Sequence, residues 1–289
     1  MKRTIILITS IIVATLLSNA QIFWKITKNG SDRASYLLGT HHLIEKDSIP
    51  AVDKILSYVA TVETVVGEME MNNMLGKQLK MLQVGIMKDS TMSQLLTEEE
   101  YQLVDAQMKE VVGKGLDKMG KLKPVMQSML YTVMLYKKEN KLSNDPEVID
   151  MEVQKIAKKN KLEIIGLETV DEQINILMNS KSLTQQAQDL VEMVKNKDKS
   201  IENMRRLNEI YLNGDIEQFV KLSKEDGQMD DEDLDILCYQ RNINWMGKLS
   251  KLLPEKSCFI AVGCMHLVGV KGLIQLLRSN GYTVEPVKL

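Results

Sequence analysis

The stretch CFIAVGCMH, residues 258–266, decides the fold. Its first five residues are apolar and predict a buried strand, and Gly263 then opens a Gly-x-x-His loop that ends at His266. An apolar stripe of helical spacing follows and stops at the turn signal Asn280-Gly281, after which Tyr282–Val287 has the pattern of a last strand. The predicted order is therefore strand, Gly-x-x-His loop, helix, strand. The stripe consists of Val270, Leu273, Ile274 and Leu277.

The other end of the chain repeats this order. Ser35–Leu38 has the pattern of a strand and leads into Gly39 and a second Gly-x-x-His loop ending at His42. Ala51–Ala60 carries an apolar helical stripe, and Glu63–Gly67 has the pattern of a buried strand. We interpret the repeat as an internal duplication. It predicts an α/β fold with a pseudo-symmetric sheet, to which Ile22–Thr27 adds a strand before the first copy.

Between the two copies the pattern is mostly helical. We expect a large helical insertion over about 72–250, interrupted by one short strand at Leu162–Ile165. Thr97 and Glu100 form a capping box, and Pro124 suits the first position of a helix. No linker divides the chain, so residues 21–289 are predicted to form a single α/β domain.

The N-terminus has the pattern of a secretory signal peptide. A short basic start is followed by an apolar run from Thr4 to Leu17, and small residues stand at Ser18 and Ala20. We expect residues 1–20 to be removed and the protein to be exported to the periplasm or beyond. Because no second segment is long and apolar enough to cross a bilayer, no stable membrane span should remain after removal. Retention of the segment as an anchor is the alternative.

Composition narrows the possible partners. The formal net charge is −2, so the chain lacks the excess of basic residues typical of nucleic-acid binding. Nineteen Met stand against three Phe, which indicates adaptable core filling or, alternatively, a plastic peptide-binding groove. The three cysteines are Cys238, Cys258 and Cys264, and any disulfide would have to involve Cys238, because the other two flank one predicted strand.

Histidine and glutamate are placed where an α/β protein binds ligands. Two of the three histidines, His42 and His266, end the Gly-x-x-His loops that leave predicted strands. Glu68 and Glu168 follow two further predicted strands, and Glu70 should share the side of Glu68 if its strand continues. Such mixed imidazole and carboxylate ligands suit a divalent transition metal, namely Zn, Mn, Co or Fe.

Motifs of other enzyme classes are missing. The sequence contains no His-Glu-x-x-His, no Gly-x-Ser-x-Gly, no P-loop and no Gly-x-Gly-x-x-Gly. Cys264 lies too close in sequence to His266 to form a convincing nucleophile and base pair. The Gly-x-x-His loops are therefore the main candidates for chemistry.

The ordered set of these motifs resembles the TraB/GumN family, whose members are similar to the Tiki metalloproteases and the erythromycin esterases. The resemblance covers essentially the whole chain after the N-terminal segment and implies a metal- or histidine-dependent hydrolase. It implies His42, Glu68 and His266 as metal ligands and Glu70 or Glu168 as general base, with Arg241 stabilising negative charge. The motifs are YLLGTHH at 36–42, VGEME at 66–70, GLET at 166–169 with Gln173, Arg241-Asn242, VGCMHL at 262–267 and GYTV at 281–284 with Pro286.

Three functions are consistent with these observations. The first is an exported metal-dependent hydrolase, most readily a peptidase, acting on a peptide. The second is a metal-free hydrolase of a small ester, with His42 as general base oriented by Glu68. The third is a non-catalytic binder that sequesters a peptide between methionine-rich helices.

Overall fold

The computed structural model describes residues 22–72, 74–225 and 229–289. The predicted signal peptide lies outside the described residues. No described helix combines the length and the hydropathy needed to cross a membrane.

A six-stranded mixed sheet forms the centre of the α/β fold, with strand order β4-β3-β5-β2-β1-β6. β2, β3, β4 and β5 are mutually parallel neighbours, and β1 joins β2 and β6 in antiparallel pairs. The predicted strands are thus confirmed, with small shifts at their ends. The strands are β1 (Phe23–Lys28), β2 (Ser35–Thr40), β3 (Thr64–Gly67), β4 (Glu163–Gly166), β5 (Cys258–Gly263) and β6 (Tyr282–Pro286).

Helices cover both the connections of the sheet and the long segment between β3 and β5. The capping box of Thr97 and Glu100 and the N-terminal proline Pro124 are confirmed. The α-helices are α1 (Val52–Ser57), α2 (Met74–Val84), α3 (Met92–Leu95), α4 (Glu98–Val112), α5 (Leu116–Met119), α6 (Pro124–Glu139), α7 (Ile149–Lys159), α8 (Val170–Asn179), α9 (Leu183–Lys195), α10 (Lys197–Leu212), α11 (Ile216–Glu225), α12 (Asp231–Leu234), α13 (Gln240–Leu252) and α14 (Leu273–Ser279). One-turn 3₁₀ helices lie at Lys46–Ser48, Tyr58–Thr61 and Cys264–His266, and a π-helix at Asp235–Tyr239 leads into α13.

The two Gly-x-x-His loops leave adjacent strands at the same edge of the sheet. β2 and β5 pair in parallel, with Thr40 opposite Gly263. The chain from β2 passes through α1 to β3 on the far side of β5, whereas the chain from β5 passes through α14 to β6 on the far side of β2. Connections that diverge from neighbouring parallel strands leave a crevice at the carboxyl ends, where α/β proteins bind ligands.

Apolar burial separates into two clusters. One surrounds the sheet and includes Leu37, Val66 and Phe259, all fully buried. The other lies among α3, α4, α5, α6 and α9, around residues such as Met108 and Tyr131. Four methionines are buried in or beside this helical cluster, so methionine does fill a core here, as its composition indicates. They are Met87, Met92, Met108 and Met119.

The helix of the second copy begins later than its apolar stripe predicts. Val270 is 78% exposed and is not part of α14, which starts at Leu273. Gly269 adopts a positive φ of 85° and Gly272 is extended at the N-cap, so the chain turns before the helix can begin. The predicted helix therefore began too early. Val270 has helical spacing from Leu273 and Ile274, and that spacing does not show that the chain reverses at Gly269.

Candidate active site

Three of the predicted site residues converge on one glycine. A Cβ atom built on Gly263 would lie 3.2 Å from Oε1 of Glu68, 3.5 Å from Nε2 of His42 and 3.6 Å from Cδ2 of His266. The two imidazoles therefore face one space, although they come from opposite ends of the chain. The in-register pairing of β2 with β5, and of β3 with β5, brings these strand ends together.

Arg241, in the first turn of α13, is the centre of a buried network. Its Nε and Nη2 donate to the two oxygens of Glu168 at 2.7 and 2.9 Å. Nη2 also donates to Oε2 of Glu68 at 2.7 Å, and Nη1 donates to the carbonyl oxygen of Leu237 at 2.9 Å and to Nε2 of His266 at 3.0 Å. All five N–H groups of the guanidinium are used. Arg241 therefore positions its neighbours and keeps no donor for a substrate.

Glu68 is held as a carboxylate. Its Oε1 accepts from the backbone N–H of Gly263 at 2.9 Å, and its Oε2 accepts from Gln173 at 3.0 Å as well as from Arg241. Burial acts to raise the pKa of Glu68, but the positive charges beside it and the Gly263 N–H hold that pKa at about 2. Glu68 thus contributes a fixed negative charge at any pH above the acid range.

His266 is buried and neutral. Nδ1 lies 2.7 Å from Oδ1 of Asn242, whose Nδ2 donates to the carbonyl oxygens of His266 and Lys271. Because Oδ1 of Asn242 is an acceptor, Nδ1 of His266 carries the proton and Nε2 accepts from Arg241. Burial, with the charge of Arg241, lowers the pKa of His266 to about 3. The ring also packs against Trp245, with centroids 4.3 Å apart.

His42 has the opposite environment. Its side chain is 62% exposed, within the cavity described below, and Nδ1 lies 3.4 Å from Oδ2 of Asp150. Burial and the charge of Arg241 act to lower the pKa of His42, but Asp150 and Glu68 raise it to about 9. His42 is consequently an imidazolium at neutral pH and becomes a base only in alkaline solution.

Asp150 is the site residue that the sequence analysis missed. It lies in the first turn of α7 with a buried side chain, and its Oδ1 accepts from Oγ1 of Thr40 at 2.6 Å. Its Oδ2 makes no hydrogen bond within the protein and is directed at His42. A signal was present in the sequence, because Asp150 and Gln154, four positions apart, form a polar pair on the buried face of an amphipathic helix.

The two glutamates predicted as general bases lie outside the cavity. Glu168 is buried behind Arg241, where its Oε1 also accepts from Nε1 of Trp245 at 2.9 Å. Glu70 is exposed and accepts from Asn72 at 2.7 Å. The expectation that Glu68 and Glu70 share one side assumed that the strand continues, but β3 ends at Gly67 and the alternation of side chains ends with it.

His41 and the cysteines are close to the site without joining the network. The ring of His41 packs against Tyr211 and Phe219, with centroid distances of 5.4 and 5.9 Å, and burial lowers its pKa to about 4. All three cysteines are free and buried. Burial raises the pKa of Cys264 to about 12, which leaves it a thiol and a poor nucleophile at neutral pH.

The predicted metal ligands are already engaged within the protein. Nε2 of His266 and both oxygens of Glu68 already accept hydrogen bonds, two of them from Arg241. Over the residues that the structure describes, no group of three or more His, Cys, Asp or Glu side chains is arranged to hold a metal ion. In this arrangement the guanidinium of Arg241 supplies the positive charge that a metal ion would supply. His266 and Glu68 cannot bind a metal ion while they hold Arg241.

A cavity of about 590 Å³ opens over the network. Its polar end is formed by His42, Glu68, Asp150, Arg241 and His266. The rest of its wall is mainly apolar and comes partly from the strand ends and partly from methionine, leucine and phenylalanine side chains of the helical segment. Volumes of roughly 300–1,000 Å³ are typical of small-molecule sites.

The fold and the site together define an α/β protein with paired Gly-x-x-His loops around a buried Arg and Glu network. The sequence model of the TraB/PrgY/gumN family matches residues 22–286, nearly the whole chain, and the protein belongs to this family. No curated protein and no solved structure matches the chain.

Proposed function

We propose that the protein is a hydrolase of an ester or amide bond, with His42 in its neutral form as the general base. The observation that carries the proposal is the arrangement of His42: Nδ1 faces the carboxylate of Asp150 at 3.4 Å, while Nε2 faces the space beside Gly263 and Glu68. An imidazole with one nitrogen oriented by a carboxylate and the other directed into a cavity is the arrangement that general-base catalysis needs.

Each residue of the site has a separate part in this proposal. Thr40 orients Asp150, and Asp150 orients the His42 ring and stabilises the imidazolium that forms when His42 takes a proton from water. Glu68 lies beside Nε2 of His42 and favours the same charged form. Arg241 and His266 keep Glu68 in place, so we assign them positioning roles.

This proposal differs from both hydrolase hypotheses of the sequence analysis in one respect each. Asp150, and not Glu68, faces Nδ1 of His42. A metal ion bound by His42, Glu68 and His266 would require Arg241 to release His266 and Glu68, and it would require His42 to lose its proton. Export to the periplasm or beyond remains part of the proposal, because it rests on the predicted signal peptide.

The experiment compares hydrolysis of p-nitrophenyl acetate and of acetyl-phenylalanine amide by the wild-type protein, His42→Gln and His41→Gln. Each protein is assayed after purification with and without a chelator, and its metal content is measured. We expect hydrolysis without bound metal, loss of activity in His42→Gln by about 10²–10⁴-fold, and little loss in His41→Gln.

Three results would overturn the proposal. Unchanged hydrolysis by His42→Gln would remove His42 from the chemistry. Activity that is proportional to bound metal, and that disappears with the chelator, would support the metal-dependent hydrolase in its place. Absence of turnover by all three proteins on both probes would favour the peptide-sequestering binder.

A further inference from the structure

The wall of the cavity divides into two parts of different chemistry. Among the residues that the structure describes, every lining side chain that is charged at neutral pH belongs to the network around His42, Glu68, Asp150 and Arg241. Lysine does not line the cavity at any described position, and the network lies at the edge of the sheet. The rest of the lining is mainly apolar, and its two glutamines, Gln154 and Gln173, are hydrogen-bonded within the protein.

Methionine dominates the apolar part, which we call the methionine wall. Met81 reaches it from α2, Met129 from α6 and Met265 from the one-turn 3₁₀ helix after β5, and the other members come from loops. Leu177 and Phe219 lie beside it. The wall consists of Met69, Met71, Met81, Met129, Met229 and Met265.

We propose that the substrate carries an uncharged, extended apolar group, which the methionine wall holds while its ester or amide bond lies against His42. This inference rests on the hydrolase function proposed above. It adds the substrate class, namely acyl compounds with a long hydrocarbon part and no charge along it.

The methionine wall disfavours a substrate whose extended part is polar or charged. A charged or strongly hydrogen-bonding group placed against six thioether side chains would lose its water without gaining partners, which costs several kcal/mol for a polar group and more for an ion. A hydrocarbon chain gains from the same transfer. Because Met is unbranched, flexible and polarizable, the wall also adapts to chains of different shape. The site should therefore be specific for the bond that is hydrolysed and accept apolar groups of different length and shape.

The first experiment measures kcat/KM for p-nitrophenyl acetate, butyrate, hexanoate, octanoate and decanoate. Each added methylene should raise kcat/KM by about threefold to fourfold until the chain outgrows the cavity. Binding of 1-hexanol, 1-octanol and 1-decanol, which cannot be hydrolysed, is measured in parallel by calorimetry. Affinity should rise by the same factor per methylene.

A charge in the wall provides the variant test. Met81→Lys places an ammonium in the cavity and should flatten the dependence of kcat/KM on chain length. Leu79→Lys is the matched control, because Leu79 is on the same helix but 59% exposed on its outer face. An unchanged melting temperature and circular dichroism spectrum verify that Met81→Lys is folded.

The outcomes separate the two proposals. Ester hydrolysis whose rate does not depend on chain length, or equal behaviour of Met81→Lys and Leu79→Lys, would overturn the apolar substrate class and leave the hydrolase function intact. Chain-length-dependent binding of the alcohols with no ester hydrolysis would instead overturn the hydrolase function, and the cavity would be a site for an apolar ligand.

Discussion

The two Gly-x-x-His loops have the same motif and opposite environments. His42 lies in an open cavity beside two carboxylates, and its pKa is raised to about 9. His266 is 5% exposed, both of its ring nitrogens are hydrogen-bonded, and its pKa is lowered to about 3. A duplicated motif has thus given one histidine that can exchange protons at accessible pH and one that cannot. The side chains that surrounding helices place beside each ring, and not the motif, determine whether the pKa of the histidine is raised or lowered.

Replacing each histidine separately should produce the largest contrast. In His42→Gln we expect hydrolysis to fall by about 10²–10⁴-fold with a smaller loss of stability than in His266→Gln, because the ring is exposed to the cavity and the Gln amide can still donate to Asp150. In His266→Gln we expect a loss of about 1–3 kcal/mol, because buried partners lose their hydrogen bonds. Steady-state kinetics and urea unfolding measure the two effects. Equal losses of stability in the two variants would contradict the comparison.

Removing Arg241 should raise the pKa of His266 toward that of His42. Arg241→Ala leaves Glu68 and Glu168 buried without their cation, and we expect it to lower the unfolding free energy by about 3–5 kcal/mol. Without the guanidinium, the pKa of His266 should rise. Proton NMR of the three histidines follows that titration. Arg205→Ala, which loses only an exposed ion pair with Glu202, is the control and should change stability by less than about 1 kcal/mol.

The pH dependence of hydrolysis tests the environment of the first loop. A base with a pKa of about 9 is only about one-hundredth deprotonated at pH 7, so kcat/KM should rise about tenfold per pH unit up to pH 9. Asp150→Asn removes the carboxylate that raises this pKa, and the inflection should move to lower pH by roughly 1–3 units. Asp145→Asn, an exposed carboxylate paired with Lys137, should leave the profile in place. A profile in Asp150→Asn identical to the wild type would show that another group titrates.

The two motif glycines should also differ, with smaller effects. Gly263 has an ordinary backbone, φ −50° and ψ 137°, so Gly263→Ala should cost only about 1 kcal/mol, through the 3.2 Å contact of its methyl group with Oε1 of Glu68. Its new methyl group would lie 3.5 Å from Nε2 of His42, where the attacking water must stand, and we expect hydrolysis to fall by about tenfold. A rate equal to that of the wild type would contradict this placement of the water.

The glycine of the first loop provides the opposite pattern. A Cβ at Gly39 would lie 3.1 Å from the backbone Cα of Cys264 in the other loop. Gly39→Ala should therefore separate the two loops and cost about 1–3 kcal/mol of stability, measured by urea unfolding. A larger loss of stability in Gly263→Ala than in Gly39→Ala would refute this assignment of roles.

The sequence placed His42, Glu68 and His266 correctly at neighbouring strand ends, because buried strands and glycine loops leave strong local patterns. The polar pair of Asp150 and Gln154 marks a buried polar position, but the role of Asp150 depends on how α7 packs against β3 and the end of β2, which the sequence does not show. Nor could the sequence show that both ring nitrogens of His266 are hydrogen-bonded. That depends on Arg241 and Asn242, whose direction is set by α13 and by the π-helix before it. Glu70 was predicted on the same side as Glu68, but β3 ends at Gly67, and the sequence pattern does not fix the end of a strand to within one residue.

In the proposed hydrolase, the fully occupied guanidinium of Arg241 has a consequence for the release of the product. Hydrolysis of an ester or amide turns a neutral acyl group into a carboxylate anion, which an arginine with free donors would retain as a bidentate pair. In this cavity the donors of Arg241 are used, so the His42 imidazolium is the cation left to hold the new anion against the negative charges of Glu68 and Asp150. Product inhibition should therefore weaken as the pH rises through the pKa of His42, about 9.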